Sequence, residues 1–160
     1  MVYESLVECN VSTFEVRTFI DNKYLLVAAN LLGESFKFLK AHIIYMSVIF
    51  GNKISDEDAF KRIDEEGLKE LKGDNLPIII PTFLGERWDV NTRGEMKNIN
   101  LTNFTFGKIS AALSIGIANH LKECIPIDYY KGKNEILGNG NSLTKVKLYK
   151  MLLKWFFKKN

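Results

Sequence analysis

Two glycine-containing loops, separated by one helix, mark the second half of the chain. The first loop follows the apolar run Pro77-Ile78-Ile79-Ile80-Pro81 and reads T-F-L-G-E-R-W-D-V-N-T-R-G, from Thr82 to Gly94. The second, L-G-N-G-N-S from Leu137 to Ser142, opens a helix. A strand running into a glycine turn and then a helix gathers backbone N–H groups and the positive end of a helix at one spot. That is the chemistry of an anion cradle. On spacing alone, G-N-G equally fits a turn that only reverses the chain.

Other reactive side chains have bland readings. Glu86 and Arg87 read as a loop ion pair and Asp89 as a turn former, not a general base or Mg²⁺ ligand. Trp88 reads as loop packing or a ligand contact. His42 and His120 sit on helix faces with no nucleophile at a telling spacing. Cys9 and Cys124 share no metal-type spacing with each other or with a histidine cluster, so neither a disulfide nor a zinc site is expected. No catalytic and no metal-ligating residue is assigned.

The elements that must position the loops follow from periodicity. Thr13 to Ile20 and Tyr24 to Ala29 are β-rich runs around Asp21-Asn22-Lys23, which predicts a hairpin. Leu32 to Phe50 is a helix with Phe36, Leu39, Ile43, Met46 and Phe50 on its buried face, ended by Gly51. Ser55 caps a second helix with Asp56, Glu57 and Asp58 in its first turn and Phe60, Ile63, Leu68 and Leu71 inward. Its charged residues Lys61, Arg62, Asp64, Glu65 and Glu66 read as solvated surface. Ile78 to Ile80 reads as a buried strand. The long segment Gly85 to Asn103 reads as a functional loop or a carrier of short strands. A third helix runs from about Phe106 to Cys124, with Gly116 inside it for close packing. Asn134 to Leu137 is a short strand candidate, and a last helix begins at Ser142 or Thr144. Together these predict an α/β layer with a mixed sheet and flanking helices.

Composition bounds the function. The chain has 160 residues, 46% of them hydrophobic and 12% aromatic, enough for one domain with a real core. Its formal charge of +3 is spread thinly and gives no basic stripe for nucleic acid. His42 to Phe50, the longest apolar stretch, is too short to span a bilayer. No signal-peptide pattern opens the chain. The expectation is a soluble protein of the reducing cytoplasm.

In order and spacing, four segments resemble the C-terminal domain of the FGGY carbohydrate kinases. V-A-A-N-L-L-G-E-S-F-K-F-L, Val27 to Leu39, is similar to the family segment where a strand leads into the first long helix through a glycine. P-T-F-L-G-E-R, Pro81 to Arg87, resembles a strand and loop written P-T-x-L-G-E-R in one branch of the family. F-G-K-I-S-A-A-L-S-I-G-I-A-N-H-L, Phe106 to Leu121, resembles the family's glycine-containing helix. L-G-N-G-N-S-L-T, Leu137 to Thr144, resembles its second glycine-rich loop.

The resemblance implies an actin-like, ribonuclease H-type ATPase domain and a part in ATP-dependent phosphorylation of a ketose, with ATP and Mg²⁺ as cofactors. It places Gly33 near the nucleotide, with Lys37 one turn along its helix. Gly138, Asn139, Gly140 and Asn141 approach the nucleotide in the second loop. Lys145 lies along the adenine where the family often has Asn, and the Gln that often follows is absent. The catalytic Asp, the Asp-x-Gly-Thr phosphate loop and most of the sugar site belong to the family's N-terminal domain, which nothing here matches. Residues 1–160 are therefore expected to be one partial C-terminal domain, inactive alone, with nucleotide and sugar as partners of the complete enzyme and homo-association possible. The alternative is a non-catalytic interaction protein that keeps the fold, a degenerate kinase paralogue.

Overall fold

The computed structural model describes residues 2–3, 13–28, 32–132 and 141–158. Near the N-terminus, β2 (Glu15–Thr18) and β3 (Tyr24–Val27) form the expected antiparallel hairpin, with Glu15 opposite Val27. Strand β1 (Val2–Tyr3) pairs with the other edge of β3. The hairpin turns through Asp21 and Asn22, whose φ values of 57° and 56° are left-handed. Asp and Asn tolerate that region by bonding their own backbone. Phe14, Leu26 and Tyr130 form a small core beneath it.

Helix α1 (Glu34–Ile49) ends where Gly51 takes a φ of 75°, as a left-handed cap requires. Phe36 is buried, and Leu39 and Ile43 pack against the core. Phe50 does not join them: it is 72% exposed, because the chain turns away at the cap before reaching a partner. Helix α2 (Asp56–Glu70) begins as predicted, with the Ser55 hydroxyl accepting the Asp58 N–H at 3.0 Å. Two readings of α2 need correction. Leu68 is largely exposed, and Asp64 is buried.

Strands β4 (Ile78–Ile80) and β5 (Glu95–Lys97) pair antiparallel as a two-stranded ribbon. The long segment after β4 thus carries a short strand. A ribbon with one covered face buries alternate residues. Ile79 is buried while Ile78 is half exposed, so β4 is not the fully buried strand the sequence suggested.

Helix α3 (Phe106–Cys124) has the predicted bounds and is capped by Thr105. It packs chiefly on α2, and Gly67 permits that approach: a Cβ there would lie 2.6 Å from Leu148 Cδ2 and 3.2 Å from Ser110 Cβ. The last helix starts at Asn141 and is broken at Val146 into α4 (Asn141–Lys145) and α5 (Lys147–Lys158). Val146 and Leu148 are wholly buried in one core with Phe36, Ile63, Ile79 and Ile117.

Every strand pair among the described residues is antiparallel, in two separate small sheets. The strand candidate Asn134 to Leu137, on which a mixed sheet would depend, lies outside the described residues.

Candidate functional site

The first loop is built from its neck outward. β4 leaves the core over α3 at Gly116, where a Cβ would stand 2.1 Å from the Ile79 carbonyl oxygen. Close passage of that backbone is what Gly116 permits, in agreement with the sequence reading. Pro81 follows, and its carbonyl accepts the buried Ser35 hydroxyl at 3.0 Å. That bond fixes the start of α1 beside the start of the loop. Gly33 is the N-cap of α1, with φ −60° and no side-chain cap. Glu34 stands in the first turn, where the helix dipole favours negative charge.

Thr82 closes the neck by donating its hydroxyl to the Arg93 carbonyl at 3.0 Å. Gly85 turns the chain with a φ of 78°, and the Glu86 N–H then bonds the Asp89 carbonyl at 2.9 Å. Asp89 is the turn former expected of it: its carboxylate accepts the Asn91 N–H and the Thr92 hydroxyl, each at 2.9 Å. The Asn91 N–H, then the Thr92 hydroxyl, hold the Asp89 carboxyl below the usual aspartate range. The result is a compact, self-bonded loop. It displays Phe83, Leu84, Trp88 and Val90 to solvent. Leu32, just before α1, is buried.

Glu86 and Arg87 do not pair with each other. Glu86 is 3% exposed, and its Oε1 meets Nε2 of His120 on α3. Arg87 reaches back to Glu15 on the hairpin at 3.8 Å. Two consecutive residues thus tie the loop to two different elements. His120, read from sequence as a surface or semi-buried helix residue with no nucleophile partner, is the base of the loop's anchor.

Two of the sequence-predicted site residues are engaged within the chain. Lys37 is exposed on α1 and paired with Glu34 at 2.6 Å. Lys145, at the end of α4, lies over the Phe60 ring at 5.5 Å. Lys40 lies over the same ring at 5.6 Å and pairs with Asp56. Lys145 and Lys40 thus share the Phe60 ring of α2. The sequence reading missed Lys40, although it stands seven residues after Gly33 and three after Lys37 on α1, the spacing of one helix face. Asn141 opens α4. Gly138, Asn139 and Gly140 lie outside the described residues, so their approach to Gly33 rests on sequence.

A second missed residue positions α5. The Asp64 carboxylate accepts the Lys147 and Leu148 N–H groups, each at 2.9 Å. A side chain of α2 thus caps α5 across the core, satisfying two N–H groups that a helix start leaves open. Among the described residues, no three His, Cys, Asp or Glu side chains gather to hold a metal ion, and no helix is long and apolar enough to cross a membrane.

These elements together have the fold of part of a sugar kinase. The chain superposes on a xylulose kinase from Rhodospirillum rubrum with a TM-score of 0.66 at 15% identity, over 92% of this chain and 29% of that one. On a ligand-bound xylulose kinase from Lactobacillus acidophilus the TM-score is 0.69 at 16% identity, over 98% and 31%. In sequence, the chain is similar to the sedoheptulokinase of Mus musculus, 24% identical over 135 residues, or 82% of this chain and 28% of that protein. The Homo sapiens sedoheptulokinase is 24% identical over 130 residues, 79% of this chain and 27% of that one. No protein-family model matches the chain. The resemblance to the FGGY carbohydrate kinases, and within them to sedoheptulokinase, stands on these comparisons. The chain spans a little over a quarter of the length of those relatives.

Proposed function

We propose that this chain is the nucleotide-binding part of an ATP-dependent kinase acting on a ketose such as sedoheptulose, without turnover of its own. In this reading it is a partial actin-like, ribonuclease H-type domain of the cytoplasm and forms the C-terminal wall of a cleft. The observation that carries the proposal is the buried Ser35–Pro81 bond, which sets the start of α1 beside the first loop. Both segments are among those that resemble the kinases.

Gly33 and the second loop would hold the nucleotide phosphates, with the Lys145 stem along the base. Bound ATP supplies the phosphoryl group. The described residues offer no cluster for Mg²⁺, so Mg²⁺ would arrive on the phosphates, as it commonly does. Phosphoryl transfer depends on positioning donor and acceptor in line. The catalytic Asp and the sugar site would come from the family's N-terminal domain, which these 160 residues do not resemble. A coupled assay with ATP, Mg²⁺ and sedoheptulose, or other ketoses and polyols, should show no turnover above background. Clear turnover contradicts the proposal.

A second reading has one observation in its favour. Both lysines assigned to the nucleotide are engaged within the chain, Lys37 with Glu34 and Lys145 with Phe60. A non-catalytic binding protein that keeps the kinase fold and has lost the nucleotide accounts for that equally. Nucleotide titration separates the two.

A further inference from the structure

We propose that the outer face of α5 docks on an anionic lipid bilayer through Lys147, Lys150, Met151, Lys154 and Trp155. The face is distinct from the two loops, and the inference does not depend on nucleotide binding. These residues recur at three- and four-residue steps, so they share one side of the helix. The other side faces the core: Leu148, Tyr149 and Leu152 are buried, and Leu153 and Phe156 pack against the same cluster. On the outer side the three lysines are exposed, with Met151 45% and Trp155 51% exposed among them.

Charge selects the occupant. Six of the 22 lysines and arginines lie after Gly140, and none of the 19 aspartates and glutamates does. The rest of the chain therefore carries more acid than base, and the basic charge that reads as thinly spread is concentrated at one end. Every lysine of α1, α2 and β5 pairs with a carboxylate. Lys147, Lys150 and Lys154 pair with none among the described residues. The acid that meets α5, Asp64, is buried and bonds the helix backbone. Three ammonium groups without a carboxylate partner, on one exposed face, draw an anionic surface.

Shape and side-chain type favour a bilayer over a nucleic acid. The face is the convex outside of a helix of 12 residues, about 18 Å long. A plane can touch such a row along its whole length. Met151 and Trp155 lie within the lysine row, where a phosphate backbone gives a thioether nothing to pack on. At a headgroup boundary both can enter, the indole N–H staying in the wet layer. The lysine stems then lie along apolar surface with their charges in water. Arginine, the residue suited to bidentate phosphate recognition, is absent from α5. Each lysine beside an anionic leaflet is worth roughly fivefold in partitioning, so three give a preference over a neutral surface on the order of 100-fold. Binding is reversible and screened by salt.

Vesicles of phosphatidylcholine and phosphatidylserine, mixed roughly 2:1, should pellet the 160-residue chain at about 50 mM salt and release it at about 0.5 M. Vesicles of phosphatidylcholine alone should not pellet it. In a Trp88→Phe background, Trp155 emission should shift to the blue on the anionic vesicles. Lys150→Glu with Lys154→Glu should lower partitioning at least roughly 25-fold. Lys61→Glu with Lys69→Glu, on α2, changes the net charge equally and should leave partitioning in place. All four sites are exposed, and unchanged circular dichroism spectra show that both variants are folded. No binding to the anionic vesicles overturns the proposal, as does equal binding to the neutral ones or binding indifferent to the α5 reversals. Polyuridylate or polyglutamate that binds in place of the vesicles, with Trp155 emission unshifted, also overturns it and gives the face to a nucleic acid or an acidic protein.

Discussion

The carboxylate of Asp64 on α2 accepts the backbone N–H of Leu148 on α5 at 2.9 Å, deep in the core. It also holds the Lys147 N–H, so one side chain serves as cap for the helix that follows the second loop. Asp64→Ala leaves both donors buried without a partner. It should cost about 2–3 kcal/mol, adding the loss of a cap to an unmet donor. Asp64→Asn keeps one acceptor oxygen and should cost less. Urea unfolding of the three proteins checks the order, and an Asp64→Ala variant within about 0.5 kcal/mol of the parent contradicts it.

Gly116 makes the opposite bet from helix propensity. In an open helix, Gly→Ala gains about 1 kcal/mol. Here the new methyl would stand 2.1 Å from the Ile79 carbonyl oxygen, so α3 and β4 must separate. Overpacking of this kind costs typically 1–3 kcal/mol, and Gly116→Ala should be destabilising on balance. A raised melting temperature for Gly116→Ala would show that the passage of β4 is looser than described.

The elements with explicit punctuation were legible in the sequence. Ser55 with its acidic first turn, Gly51 after α1 and the apolar stripe of α3 each state a local rule that the fold keeps. Asp64 was legible in principle: Phe60 stands four residues before it and Gly67 three after, so it lies on the packed side of α2. It was assigned to the solvated face because charge alone suggested solvent. The Glu86–His120 contact was not legible, since the two residues are 34 positions apart and meet only when the loop folds back on α3. Phe50 misled because helical period alone does not say where the neighbouring helix ends. Of the second loop, only its helix is described, so its role as a cradle still rests on Gly138, Asn139 and Gly140 as sequence.

The Glu86–His120 contact should act as a unit. Removing His120 leaves the buried Glu86 carboxyl without its imidazole neighbour, and an unmet buried polar group costs about 1–3 kcal/mol. A double-mutant cycle with Glu86→Gln and His120→Gln should therefore give a coupling energy above about 1 kcal/mol. In a Trp155→Phe background, Trp88 emission should report loosening of the loop in the single variants. Additive losses with unchanged emission would make the contact incidental.

Tyr149 sets an alkaline limit. Its ring packs in the core 5.7 Å from that of Phe36, and burial pushes the phenol up to about 12. Unfolded tyrosine ionises near 10. The folded chain therefore holds this proton more tightly, so its contribution is complete below about pH 10 and is lost as pH rises toward 12. The loss should approach 3 kcal/mol, at about 1.4 kcal/mol per pH unit. Tyr149→Phe should remove this part of the alkaline decline. Parent and variant with parallel stability curves from pH 9 to 11 would contradict it.

Calorimetric titration of the chain with ATP in Mg²⁺ is the most direct test of the proposed role. The account predicts a saturable 1:1 isotherm, weak because half a cleft supplies only part of the contacts, with Kd on the order of 0.1–1 mM. Gly33→Val should abolish binding, since a branched side chain would block approach to the start of α1. Lys145→Ala should weaken it several-fold. No saturable heat at millimolar ATP, or binding indifferent to Gly33→Val, would contradict nucleotide binding and leave the fold as an interaction module.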